Sequence, residues 1–138
     1  MSETDLNPST LEDQIGINQL YSRYTHAIDD FDQQGWLDTF AEDGVFDIDG
    51  TAVRGRDQLS VWFSQFEDYS QKSMRHYISN IGISVDGTTA AGRAYLIVLN
   101  VSNGQLAATG TYLDSLSKSD GKWRFEHREL CTDAKAEA

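Results

Sequence analysis

The sequence contains little cysteine, little proline and no long apolar run. Cys131 is the only cysteine in 138 residues, and Pro8 is the only proline. A single cysteine excludes an intrachain disulfide and a cysteine-based zinc cluster. No run approaches the roughly 18 apolar residues that a transmembrane helix needs, and the acidic, polar residues 1–5 do not resemble a secretory signal. We therefore expect a cytoplasmic protein with no membrane partner.

Positive charge is scarce as well. The chain has 11 Lys and Arg residues against 22 Asp and Glu residues, which gives a formal net charge of −11. Because nucleic-acid binding depends on a basic surface, this charge excludes a nucleic-acid partner. It also disfavours anionic membranes and highly anionic substrates. A hydrophobic small molecule fits this composition better as a substrate.

The usual metal and phosphate motifs are missing. The three histidines show neither HxH nor HExxH spacing. The Asp-Gly pairs do not fit the EF-hand pattern, so we interpret them as turn residues. The sequence contains no glycine-rich phosphate loop and no nucleophile elbow. We expect no metal and no cofactor.

What is present is a clear succession of helices followed by strands. Helical spacing of apolar residues begins at Leu11 and continues to Phe31. A second, short helix is predicted over about 33–40, a hairpin over 45–49 and 51–53, and a third helix over 57–66. Four strand-like runs follow, at about 74–85, 89–102, 105–118 and 122–131. They are separated by hairpin signals, namely Asp86-Gly87, Asn103-Gly104 and Asp120-Gly121.

This order predicts an α+β fold in which the helices pack inside a strongly curved antiparallel sheet. We expect one domain over residues 10–131, with flexible ends at 1–9 and 132–138. A sheet that curls around a long helix tends to leave a cavity open at one end. Asp29 lies where the first helix should end, and His76 lies in the first strand of the long meander. If the fold brings them together, the acid orients the base for proton abstraction.

The chain resembles the SnoaL-like branch of the nuclear-transport-factor-2-like cone fold over about residues 10–131. Members include scytalone dehydratase, bile acid 7α-dehydratase, hexachlorocyclohexane dehydrochlorinase, ketosteroid isomerase, polyketide cyclases and the β subunit of ring-hydroxylating dioxygenases. The resemblance is carried by LYSRY at 20–24 continuing to Asp29, WLDTFAED at 36–43, RHYISN at 75–80, GTY at 110–112 and DGKWRF at 120–125.

The resemblance implies catalytic roles for three residues. The dehydratases and the dehydrochlorinase share an Asp–His dyad whose positions match Asp29 and His76. Tyr24, five residues before Asp29, matches a pocket tyrosine of the bile acid dehydratases. This chain lacks the second histidine of scytalone dehydratase, since it has Asn100 and its neighbours on that strand. The resemblance therefore does not extend to scytalone chemistry itself.

Further pocket residues are predicted from strand and helix faces. By the two-residue alternation of a strand, Asn80 shares a face with His76, and His127 shares a face with Trp123 and Phe125. Ile81, Ile83 and Val85 are then expected on the face opposite His76. The predicted substrate-pocket residues are Asn80, Tyr112, His127, Trp36 and Phe40.

Three functions remain open from the sequence. The first is a cofactor-independent lyase of the dehydratase type, which uses the Asp29–His76 dyad with help from Tyr24. The second is an isomerase or a polyketide or terpenoid cyclase that uses the same dyad. The third is a non-catalytic ligand-binding protein or a partner subunit, such as a dioxygenase β subunit. Cone-fold sheets generally pair back to back or form trimers, so a homodimer or homotrimer is expected.

Overall fold

The computed structural model describes residues 8–133, and most of the two ends that were predicted to be flexible lies outside these residues. Within those ends, Pro8 begins the first helix and Thr132 closes the last strand. The elements are α1 (Pro8–Asp29), α2 (Gln33–Leu37), β1 (Phe40–Ile48), β2 (Thr51–Arg54), α3 (Gly55–Ser70), β3 (Met74–Asp86), β4 (Thr89–Asn100), β5 (Gln105–Ser119) and β6 (Lys122–Thr132).

The α+β prediction is confirmed. The helices pack against a curved, unclosed sheet of six strands in the order β2-β1-β6-β5-β4-β3. The meander β3 to β6 is antiparallel, as the turn signals predict. The sheet is nevertheless mixed, because β1 pairs parallel to β6. No helix in residues 8–133 is long and apolar enough to cross a membrane.

Helix α1 supplies the centre of the core. Its buried side chains recur at intervals of three and four residues, which places them on one helical face. Each large apolar side chain buried in this way stabilises the fold by about 1.5–3 kcal/mol. The residues of this face are Ile17, Leu20, Tyr21, Tyr24, Ala27 and Ile28.

The second helix is shorter than predicted and ends at Leu37. The Thr39 hydroxyl donates to the Trp36 carbonyl at 2.6 Å, and the Thr39 carbonyl accepts from the Phe125 backbone N–H at 2.8 Å. This second bond ties the chain to β6, so Phe40 begins a strand and does not continue the helix.

Bulges in the meander change which side chains face inward. In β3, Ser79 pairs with Tyr95 and Gly82 pairs with Arg93, so β3 has one residue more than β4 across this interval. Asn80 takes the left-handed conformation at φ 55°, which asparagine tolerates better than most residues. As a result, Ile81, Ile83 and Val85 pack against the core. The prediction that these three residues oppose His76 is wrong.

Strand β6 carries a second bulge. Ser115 pairs with His127 and Leu116 pairs with Phe125, so Glu126 is the extra residue. Phe125 and Arg128 therefore both face inward, three positions apart, whereas regular alternation would pair Phe125 with His127.

Candidate active site at the end of helix α1

Asp29 and His76 meet, as the sequence predicts. Asp29 is the last residue of α1, and its Oδ1 lies 2.7 Å from Nδ1 of His76. The same carboxylate accepts the backbone N–H of His76, at 3.1 Å to Oδ1 and 3.2 Å to Oδ2. The His76 side chain is only 6% exposed and that of Asp29 16% exposed. These contacts fix the imidazole ring against the helix end.

Asp29 occupies a position that is electrostatically unfavourable for a carboxylate. A carboxylate at the C-terminal end of a helix is repelled by the helix dipole. Here the two N–H groups of His76 offset that repulsion, because β3 begins directly beside the end of α1. The pair therefore depends on tertiary packing and not on the local preference of the helix.

The hydrogen-bond pattern also defines the tautomer of His76. A carboxylate only accepts hydrogen bonds, so the Nδ1 atom beside Asp29 carries the hydrogen and donates it. In the neutral ring Nε2 then keeps its lone pair, which is the form that a general base requires.

His76 forms part of the wall of an apolar cavity of about 280 Å³ between the helices and the sheet. Tyr69, Asp49 and Thr132 stand on its exposed side. The apolar lining includes Ile28, Phe46, Trp62, Phe66, Leu96 and Val98. A cavity of this size and character fits one hydrophobic small molecule.

Two tyrosines line the same cavity. Tyr24 is fully buried and Tyr112 is 1% exposed, with ring centres 6.1 Å apart. The Tyr24 hydroxyl makes no hydrogen bond of ordinary geometry with the described residues, although it lies near enough to Tyr112 and Trp36 to interact electrostatically. Burial is the main cause that raises the pKa of Tyr24, and it raises the pKa of Tyr112 well above the ordinary value. Both hydroxyls therefore remain neutral donors at physiological pH.

Behind these tyrosines lies a buried polar cluster that the sequence analysis missed. Arg128 and Asp114 are both sealed from solvent, with Nε of Arg128 3.2 Å from Oδ1 of Asp114. Tyr21 donates to Oδ2 of Asp114 at 2.5 Å. The central guanidinium carbon lies 3.4 Å from the ring centre of Tyr112 and 4.2 Å from that of Tyr24. The cluster thus holds a cation against the two tyrosines of the cavity.

Burial and charge have opposite effects on the pKa values of Asp114 and Arg128. Burial raises the pKa of Asp114, although Arg128 and the Tyr21 hydroxyl work against that rise. Burial lowers the pKa of Arg128, but the negative charge of Asp114, followed by the three tyrosines, more than reverses this, so the net direction is upward. The guanidinium therefore stays charged.

Several predicted pocket residues lie elsewhere. His127 is half-buried on the outer face of the sheet, because the bulge at Glu126 reverses the alternation. Asn80 is exposed at the bulge of β3. Trp36 and Phe40 are fully buried but do not line the cavity; they pack beneath Tyr24, with ring centres 5.7 and 6.0 Å from it. None of these four residues lines the cavity described here, whereas Tyr24 and Tyr112 do.

The sequence pattern contains no feature that predicts an inward-facing Arg128. Glu126, His127 and Arg128 are all polar, so hydropathy does not reveal which of them faces inward. Within residues 8–133, no group of three or more His, Cys, Asp and Glu side chains is placed to hold a metal ion.

The chain matches one family model and resembles many solved structures. Residues 9–129 match the model of a family described as the SnoaL-like domain. Among curated proteins, no sequence matches the chain. A solved structure of Rv3472 from Mycobacterium tuberculosis, a protein of unknown function, is 32% identical with a TM-score of 0.82; the alignment covers 96% of this chain and 77% of that one.

Two more distant structures share the fold. An NTF2-like protein with a cystatin-like fold from Novosphingobium aromaticivorans is 20% identical, with a TM-score of 0.81 and coverage of 92% of this chain and 90% of that one. LinA is 21% identical, with a TM-score of 0.76 and coverage of 90% and 88%. A third structure, described as a putative scytalone dehydratase from Novosphingobium aromaticivorans, is 23% identical, with a TM-score of 0.79 and coverage of 90% and 86%. These likenesses confirm the cone fold that the sequence resemblance implied.

Proposed function

This chain belongs to the SnoaL-like domain family, and on that premise we propose that it is a cofactor-independent lyase that eliminates water from a hydrophobic small molecule. The family includes dehydratase-type enzymes. The observation that carries the proposal is the 2.7 Å contact between Asp29 and Nδ1 of His76 in the wall of an apolar cavity. An oriented base that faces a largely apolar space suits proton abstraction from carbon.

The proposed reaction starts from a β-hydroxycarbonyl compound. Nε2 of His76 takes the proton from the carbon next to the carbonyl, and Asp29 stabilises the imidazolium that forms. The electron pair of the broken C–H bond becomes the new carbon–carbon double bond. The C–O bond of the hydroxyl group breaks, and the departing oxygen takes the proton from His76. The products are an unsaturated carbonyl compound and one water molecule, and His76 returns to its neutral form.

Tyr24 and Tyr112 are the proposed partners of the substrate oxygen. Each is a buried neutral hydroxyl in the cavity wall, and hydrogen-bond donors aimed at developing negative charge stabilise a transition state. Arg128 adds a fixed positive charge behind both rings. The oxygen that gains charge in the enolate-like transition state is thus expected to bind at the tyrosine end of the cavity.

The test is a panel of apolar β-hydroxyketones, with formation of the conjugated ketone followed by ultraviolet absorbance. We expect His76→Gln and Asp29→Asn to lower the turnover of any active compound by at least about 10²-fold. His127→Gln and Asp30→Asn are the matched controls, since both side chains lie outside the cavity. They should retain the wild-type rate.

Binding is measured separately through tryptophan fluorescence, because Trp62 lines the cavity. Compounds that bind without turnover would support a ligand-binding protein and overturn the lyase. Deuterium uptake from heavy water into the substrate with no loss of the hydroxyl group would indicate an isomerase that uses the same dyad. If the His76→Gln and His127→Gln variants were equally active, the dyad mechanism would be wrong.

A further inference from the structure

A polar groove of about 600 Å³ lies where α1 meets α2 and the start of β6. Helix α1 contributes Gly16, Gln19 and Arg23, which recur at intervals of three and four residues and therefore share one helical face. Strand β6 contributes Lys122 and Arg124. The groove and the apolar cavity have no lining residue in common, so the groove is a second, separate space.

Three of the side chains that line this groove are cations, namely Arg23, Lys122 and Arg124. None of the three forms an ion pair with a described residue, whereas four other cations in residues 8–133 are each paired with an acid. Unpaired charges of one sign that line a concave surface concentrate the electrostatic field and raise the local concentration of ions of the opposite sign. The three cations therefore favour an anion in the groove.

Asp38 is the acid in the lining of the groove, and its charge is balanced from outside. Its Oδ1 lies 3.6 Å from a terminal nitrogen of Arg56, which does not line the groove, and accepts from Nε2 of Gln34 at 3.1 Å. The groove is thus an exception on a chain whose net charge is −11. Because the Debye length is about 8 Å at physiological ionic strength, acids elsewhere on the surface are screened from a ligand that contacts the three cations.

The fold holds one of these cations in place before any ligand binds. Nε of Arg124 donates to the Asp38 carbonyl at 3.2 Å, and the side chain is half-buried. Its two terminal nitrogens make no hydrogen bond with the described residues, so their donors remain available. A planar guanidinium offers paired donors that match the oxygens of a phosphate group.

We propose that this groove binds a phosphate-type oxyanion, either free phosphate or the phosphate group of a monoester, between Arg23, Lys122 and Arg124. The volume of the groove leaves room beside the phosphate for a small organic part. The proposed site does not use the dyad and is independent of the proposed lyase.

The experiment is a nuclear magnetic resonance titration of the ¹⁵N-labelled full chain with inorganic phosphate at constant ionic strength. We expect saturable shifts of the amide signals of Gly16, Gly35 and Gly121, which all line the groove. Chloride over the same range should leave these signals unchanged. Glycerol 3-phosphate is titrated in parallel. Tighter binding of this monoester identifies a phosphate monoester as the ligand, and equal or weaker binding identifies free phosphate.

Two exposed cations of the groove are changed by substitution. Arg23→Gln and Lys122→Gln should each raise the dissociation constant for phosphate at least about threefold, and the double variant at least about tenfold. Arg93→Gln removes an exposed, unpaired cation of β4 outside the groove and is the matched control, which should bind phosphate as the wild type does. Arg124 is left unchanged, because its bond to the Asp38 carbonyl also supports the fold.

Circular dichroism checks that each variant keeps its fold. The proposal is overturned if phosphate causes no saturable shift, or if the shifts are spread over the surface and not centred on the groove. It is also overturned if Arg93→Gln weakens binding as much as Arg23→Gln does, since the effect would then reflect net charge alone. Because the groove and the cavity share no lining residue, none of these outcomes decides the proposed lyase.

Discussion

The Asp29–His76 pair and the Asp114–Arg128 pair differ in their access to solvent. The Asp29 side chain is 16% exposed, and His76, although buried, lines a cavity that an outside molecule can enter. Asp114 and Arg128 have the same pairing of an acid with a nitrogen base, yet both side chains are 0% exposed. We call Asp29 and His76 the open pair and Asp114 and Arg128 the sealed pair. The open pair is proposed to exchange protons with a substrate, whereas the sealed pair holds a permanent charge behind the cavity wall.

The largest effect on stability is expected when one charge of the sealed pair is removed. Arg128→Met leaves Asp114 buried without its partner and should lower the free energy of unfolding by about 3–5 kcal/mol. Urea denaturation measures the loss. Arg128→Met combined with Asp114→Leu should recover most of it, because no buried charge remains unpaired. A single variant as stable as the wild type would contradict a structural role for the pair.

Alkaline pH tests the tyrosines around the sealed pair. Tyr21, Tyr24 and Tyr112 have pKa values raised by burial, so the folded state holds their protons after the unfolded chain has released them. Their contribution is fully present below the ordinary pKa of about 10 and is lost as the pH rises above it, by up to about 1.4 kcal/mol per pH unit for each tyrosine.

Denaturation at successive alkaline pH values measures that slope. In the Tyr112→Phe variant, the loss of unfolding free energy per pH unit should be smaller by the contribution of one tyrosine. The tyrosinate absorbance of the three buried rings should appear only together with unfolding. Their ionisation in the folded protein would show that water reaches the cluster, and the distinction between an open and a sealed pair would be lost.

A smaller effect on stability is expected at the open pair. Asp29→Ala leaves the two N–H groups of His76 without their acceptor, which should cost about 1–2 kcal/mol because water reaches this edge of the cavity. Asp30→Ala next to it is exposed and serves as the control. Thermal unfolding of both variants gives the comparison. A loss at Asp29 as large as that at Arg128 would mean that the dyad is chiefly structural.

The smallest effect is expected outside both pairs. His127→Gln should change the free energy of unfolding by no more than about 0.5 kcal/mol, because its side chain lies on the outer face. Ligand binding followed by tryptophan fluorescence should also be unchanged. A loss of binding would place His127 at the cavity and contradict the bulge at Glu126.

The sequence predicted most of the architecture, because turn chemistry is local. Asp86-Gly87, Asn103-Gly104 and Asp120-Gly121 each mark a real hairpin of the meander. The meeting of Asp29 and His76 came from the family resemblance, since nothing local joins a helix end to a distant strand. The inward faces of β3 and β6 could not be predicted beyond their bulges. The residues around Asn80 are equally compatible with a regularly alternating strand. The three polar residues from Glu126 to Arg128 do not differ enough in hydropathy to show which of them faces inward.

The extra residue in β6 has a consequence for how this cavity can change during evolution. If the bulge moved along β6 to a place beyond Arg128, with Phe125 held in place, regular alternation would turn His127 inward and Arg128 outward. Such a shift would exchange a permanent cation for an imidazole ring beside Tyr112, while every strand kept its sequence. The place of one bulge is therefore a route by which the same fold could acquire different chemistry.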